Sequence, residues 1–69
     1  MINMKIGERI KELRIENNLS QSKLAEEIGV SQKAIDFWES SINEPKASYI
    51  IKLVKFFSLS FSDFFEDVE

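Results

Sequence analysis

One short pattern constrains this chain more than any other feature. An apolar residue, a serine, and a second apolar residue four places beyond the serine recur as Leu19–Ser20–Leu24, Val30–Ser31–Ile35 and Leu59–Ser60–Phe64. A serine oxygen accepts a hydrogen bond from a free amide in the first turn of a helix, and the flanking apolar pair closes over it as a hydrophobic staple. Each copy therefore marks a helix start. The first two serines lie eleven residues apart, with Ile28-Gly29-Val30 between the two helices they open. Gly29 is the one residue there that takes a positive φ at little cost, so it ends one helix and turns the chain at once. The pattern predicts two short helices, 21–28 and 32–40, meeting at an abrupt corner.

Helical periodicity fills in the rest. Ile6, Ile10 and Leu13 share one face and predict a first helix over about 4–17, with Asn3 as its N-cap and Asn17-Asn18 as its stop. Gly7 interrupts this helix at a cost of about 1 kcal/mol relative to alanine, and marks either close packing or a frayed start. Glu8, Glu12 and Glu16 alternate with Arg9 and Lys11 in what reads as an ordinary solvated face. The second helix buries Leu24, Ala25 and Ile28. The third buries Ile35 and Trp38, with Ala34 small enough for close approach. Pro45 keeps Glu44 out of helical geometry, so Ser40 to Ala47 reads as a loop. Ile50, Leu53, Val54 and Phe57 give a fourth helix over 48–57, and Ser60 opens a fifth over 61–66, where Asp63 is placed to complete a capping box. No segment alternates with the period of a strand. The expected fold is all-α, a single domain over 1–69, and two short helices joined by a glycine corner form a helix-turn-helix.

Composition narrows the function. The chain has no cysteine and no histidine, which removes disulfides, thiolate chemistry, ordinary zinc sites and histidine acid–base catalysis together. No nucleophile–base pair, metal cluster or phosphate loop can be assembled, so an enzyme is the least expected class, with no catalytic or metal-binding residues and no cofactor. No signal peptide and no apolar span near the ~20 residues of a membrane helix is present, which points to a soluble cytoplasmic protein without a membrane partner. The net charge of −3 argues against a polycationic, non-specific nucleic-acid binder. Four of the twelve acids fall in the last seven residues, however, and residues 1–62 carry nine basic against eight acidic side chains. Steering depends on such local balance rather than on the total.

The stretch from Leu19 to Glu39, LSQSKLAEEIGVSQKAIDFWE, closely resembles the Cro/repressor (xenobiotic response element) type helix-turn-helix of bacterial and phage regulators. The flanks share the likeness: IKELR over 10–14 resembles the first-helix signature, Glu39 to Pro45 the loop after the third helix, and Leu53 to Phe64 the last two helices. The resemblance implies a compact five-helix, lambda-repressor-like DNA-binding domain, with the third helix in the major groove and the second across the backbone. It places Gln32, Lys33, Asp36 and Phe37 at base edges. Gln21 is placed on a phosphate, where it also supports Gln32, and Ser31, Ser40 and Lys46 on the backbone. It also pairs Arg14 with Glu39, tying the third helix to the first.

The residue chemistry suits these roles to different degrees. Gln32 can bond adenine N6 and N7 together, and Lys33 can read guanine or touch phosphate. Because Ala34, Ile35 and Trp38 already satisfy the apolar period, Phe37 should point outward, where it can meet a thymine methyl; the alternative is partial burial against the following loop. Asp36 departs from the family, which more often has serine, threonine or a neutral polar residue there. A carboxylate accepts from cytosine N4 but repels phosphate, which favours rejection of wrong sequences. Ser41 departs as well, since the family usually has glycine at this turn, and serine meets a steric cost at positive φ.

Phe56, Phe61 and Phe65 lie off the main core period, and an exposed apolar patch marks a partner surface. A core of this size rarely supplies more than about 3–5 kcal/mol unless its helices pack very well or the chain oligomerises. The expected protein is therefore a homodimeric, sequence-specific regulator, most simply a repressor, on a palindromic double-stranded operator. The competing reading is a protein-interaction module, such as the antitoxin half of a toxin pair or a partner-sequestering regulator, that uses the phenylalanine-rich C-terminal surface.

Overall fold

The computed structural model describes residues 4–69 as five helices: α1 (Ile6–Glu16), α2 (Gln21–Ile28), α3 (Gln32–Glu39), α4 (Ala47–Phe56) and α5 (Phe61–Phe64). Three helices start on the serine pattern. Ser20 Oγ accepts from Lys23 N at 2.9 Å, Ser31 Oγ from Ala34 N at 3.1 Å and Ser60 Oγ from Asp63 N at 3.0 Å.

The helix ends follow an equally regular rule. Each of α1 to α4 is followed by a residue at positive φ: Asn18 at 57°, Gly29 at 85°, Ser41 at 61° and Ser58 at 56°. The next amide then reaches back five residues in each case: Leu19 to Arg14 O, Val30 to Ala25 O, Ile42 to Phe37 O and Leu59 to Val54 O, at 2.9 to 3.1 Å. These are Schellman closures, which satisfy carbonyls that a helix end otherwise leaves open. Leu19, Val30 and Leu59 close one helix and staple the next, so stop and start are compressed into three residues. Ile42 is not followed by a capping serine. It is 62% exposed and leads into the Asn43–Lys46 loop, which is anchored by the buried Pro45.

The core is formed by Ile10, Leu13, Leu24, Ala25, Ile28, Ile35, Trp38, Leu53, Val54 and Phe64. Within it α3 packs on both α1 and α2, and α4 packs on α2. Gly7 marks a close approach rather than a frayed start. A Cβ placed on it would stand 1.7 Å from the Trp38 carbonyl oxygen, so only glycine lets α1 cross the end of α3 at this distance.

Two segments differ from expectation. The first helix begins at Ile6 rather than near residue 4, with Lys5 extended as its N-cap and Glu8 Oε1 accepting from Lys5 N at 2.8 Å. The cause lies at the other end of the chain. Met4 N donates to Asp67 O at 2.8 Å and Glu69 N to Met4 O at 2.9 Å, which holds Met4 in a bridge to Val68 and out of the helix. Asn3, the expected cap, lies outside the described residues. The second difference is Arg9, which does not belong to a solvated face. Its Nε donates to Phe64 O and its Nη2 to Asp63 O, both at 2.9 Å, closing the end of α5 after four residues rather than six. A cation there satisfies open carbonyls and complements the negative end of the helix.

Candidate nucleic-acid interface

The α3 helix has two sides with separate duties. Ile35 and Trp38 are buried, whereas Gln32, Lys33 and Asp36 are exposed and take no part in the core. Because Ser31 caps the helix, Gln32 and Lys33 fall in its first turn. Phe37 is not among the side chains packed on the core. It is half-buried, and Lys33 Nζ sits over its ring, 5.4 Å from the centroid. The ring thus supports the lysine through cation–π attraction.

The residues expected at the backbone surround this helix. Ser31 Oγ uses a lone pair on Ala34 N, which leaves its O–H free to donate. Ser40 is exposed at the C-cap of α3. Lys46 is exposed at the start of α4, and no side chain caps that helix. The amides of Ala47 and Ser48 therefore remain available beside the lysine charge, an arrangement that suits an anion.

Beneath α3 lies a buried polar cluster. Arg14 Nε donates to Glu39 Oε2 at 2.7 Å and Nη2 to Oε1 at 3.0 Å, while Nη1 holds the Leu19 carbonyl at 2.8 Å. The Glu39 side chain is 3% exposed and that of Arg14 13%. The Glu39 hydrogen bond holds the Arg14 guanidinium above its ordinary range against the opposing effect of burial, so this side chain stays cationic. One guanidinium thereby joins α1, the residue before the N-cap of α2 and the end of α3. Breaking such a pair strands a buried charge at a cost of about 3–5 kcal/mol.

Gln21, the first residue of α2, belongs to the same cluster. Its Nε2 donates to Glu39 Oε1 at 3.1 Å and to Asp36 Oδ1 at 3.3 Å. Its partners are thus two carboxylates of α3, where sequence reasoning expected Gln32. The signal was present in the i, i+3 spacing of Asp36 and Glu39, which puts both acids on one side of a helix.

The aromatic residues divide. Phe56 and Phe61 are 37% and 54% exposed, and Ile51 is exposed as well. Phe65 does not join them. It packs against the core with its ring edge-on to Phe64, 4.9 Å between centroids, because the tight end of α5 folds it inward.

Known proteins share this sequence pattern and fold. The Helix-turn-helix family model matches residues 10–64. The HTH-type transcriptional activator BcrR of Enterococcus faecalis is 37% identical over 60 residues, which are 87% of this chain and 29% of BcrR. The HTH-type transcriptional regulator PuuR of Escherichia coli (strain K12) is 38% identical over 63 residues, 91% of this chain and 34% of PuuR. The chain thus spans about a third of the length of these curated relatives. Among solved structures, the P22 c2 repressor in complex with a synthetic operator superimposes with a TM-score of 0.80 at 32% identity, covering 90% of this chain and 94% of that one.

Proposed function

The chain belongs to the helix-turn-helix family of Cro/repressor-type regulators, and from that premise we propose that it is a sequence-specific transcriptional repressor that binds double-stranded DNA as a homodimer. One observation carries this reading: α3 is clamped from beneath by Arg14 and Glu39 while Gln32, Lys33 and Asp36 stand outward and take no part in the core. A rigid helix with a free polar face is what readout of base edges requires.

In this reading α3 enters the major groove with its first turn leading. Gln32 bonds adenine N6 and N7, Lys33 meets guanine or a phosphate, Asp36 accepts from cytosine N4, and Phe37 meets a thymine methyl. Gln21, Ser31, Ser40 and Lys46 hold the backbone on either side and set the register. Phe56 and Phe61 form the contact between two copies, which matches half-sites about 10 bp apart or a multiple of that. Phe65 is left out of this contact because it packs against its own core. Among the described residues no helix is long and apolar enough to cross a membrane, which is consistent with action in the cytoplasm. The exposure of Phe61 also favours a second reading, in which this surface docks a different protein. Sedimentation of the isolated chain separates the two, since the first predicts a dimer without any partner.

The test of the groove assignment compares two variants. Gln32→Ala should relax preference at one base pair at a cost of about 1–3 kcal/mol, while Lys46→Ala should weaken all sequences alike and flatten the salt dependence. If both variants bind selected and random duplexes as the parent does, α3 is not in the groove.

A further inference from the structure

We propose that Asp36 is a positioning residue that controls backbone contact by holding Gln21, and that DNA must displace it. The inference rests on the DNA-binding reading above and on the geometry of one amide. Both neighbours of Gln21 Nε2, Asp36 Oδ1 and Glu39 Oε1, are carboxylate oxygens. Carboxylates accept and do not donate, so the NH2 end of the amide must face them, and its two N–H groups are both engaged. A phosphate is also purely an acceptor. The Gln21 side chain therefore has no donor left for the phosphate its place at the start of α2 calls for, unless one carboxylate gives way.

The structure identifies which one yields. Glu39 is nearly inaccessible and held by two nitrogens of Arg14. Asp36 is exposed, and its bond to Gln21 is the longer of the two, 3.3 Å against 3.1 Å. Asp36 lies on the same outward side of α3 as Gln32 and Lys33, so a base that draws its carboxylate into the groove releases the N–H of Gln21 toward the backbone. Where no base offers a donor, Asp36 keeps Gln21 and the phosphate contact is lost. Rejection of a wrong base is thus amplified at a second site, beyond the repulsion between a carboxylate and phosphate.

A double-mutant cycle on random-sequence duplex tests this, because base contacts average out there. Asp36→Ala should raise affinity in the parent and also, through its charge alone, in a Gln21→Met background that keeps the stem of the side chain. The gain should be roughly threefold to tenfold larger with Gln21 present, the size of one recovered hydrogen bond to a charged group near the surface. The side-chain amide signals of Gln21 give an independent readout that a merely structural role of Asp36 would not move on DNA. Asp36→Ala should shift one of the two Nε2 protons in the free protein, and added duplex should shift the same proton in the parent. Equal gains in both backgrounds, or an amide proton that ignores Asp36→Ala, overturn the proposal while leaving DNA binding intact. A parent that fails to bind any duplex overturns the DNA-binding reading and this proposal with it. Thermal melts of each variant separate these outcomes from loss of fold.

Discussion

The entry to α3 and its exit are both helix ends closed by a left-handed residue, yet they are built to different standards. At the entry, Gly29 takes φ 85° with nothing within 4 Å of the place a Cβ would occupy, Val30 closes α2 and staples α3, and Ser31 caps the new helix. At the exit, a serine carries φ 61°, the closing residue Ile42 is 62% exposed, and the next helix starts without a side-chain cap. The entry fixes where the first turn of α3 points, because a small rotation there would misplace every side chain beyond it. The exit leaves Ser40, Lys46 and the amides of Ala47 and Ser48 on the surface, which in the proposed reading allows adaptable contact with a DNA backbone.

Breaking the clamp that the entry relies on should have the largest effect. Arg14→Met removes the partner of a buried carboxylate and should cost about 3–5 kcal/mol in chemical denaturation. A loss under 1 kcal/mol would mean that Glu39 is solvated in the folded state. Next comes Gly7→Ala. An added methyl collides with the Trp38 carbonyl, a backbone atom that cannot swing aside, so α1 must move off α3. Overpacking of this kind costs about 1–3 kcal/mol. DNA affinity should fall beyond what lost stability explains, since α3 tilts with it.

The comparison itself is sharpened by exchanging the two turn residues. Gly29→Ser puts a side chain into left-handed geometry and should destabilise by about 1–2 kcal/mol, although the site has room for it. Ser41→Gly should do the reverse and stabilise by a smaller amount, roughly 0.5–1 kcal/mol, because the flexibility that glycine adds to the unfolded chain offsets part of the relief. Melting temperatures of the pair should move in opposite directions. If they move together, positive φ is not what distinguishes the two ends.

Much of this was legible in the sequence, and the reason is range. Helix starts at Ser20, Ser31 and Ser60, the corner at Gly29 and buried residues such as Ile10, Leu24 and Leu53 depend on neighbours within a turn or two, and periodicity reports those directly. Arg9 was misread as surface because its partners Asp63 and Phe64 lie 54 and 55 residues away. The same blindness hid the pairing of Met4 with the C-terminal segment and the inward packing of Phe65. At the candidate interface, the residue types and the outward side of α3 were readable. The carboxylate grip on Gln21 and the seat of Lys33 on Phe37 were not, since each depends on how side chains settle after the helices dock.

In the proposed function the outward side of α3 reads base sequence. Selection of bound sequences from a random duplex pool at fixed salt tests it most directly. The selected pool should yield a two-fold symmetric consensus whose half-sites lie about 10 bp apart or at a multiple of that spacing, and which loses one position when Gln32 is replaced by alanine. A pool that emerges without a consensus, or a consensus unchanged by Gln32→Ala, would contradict it.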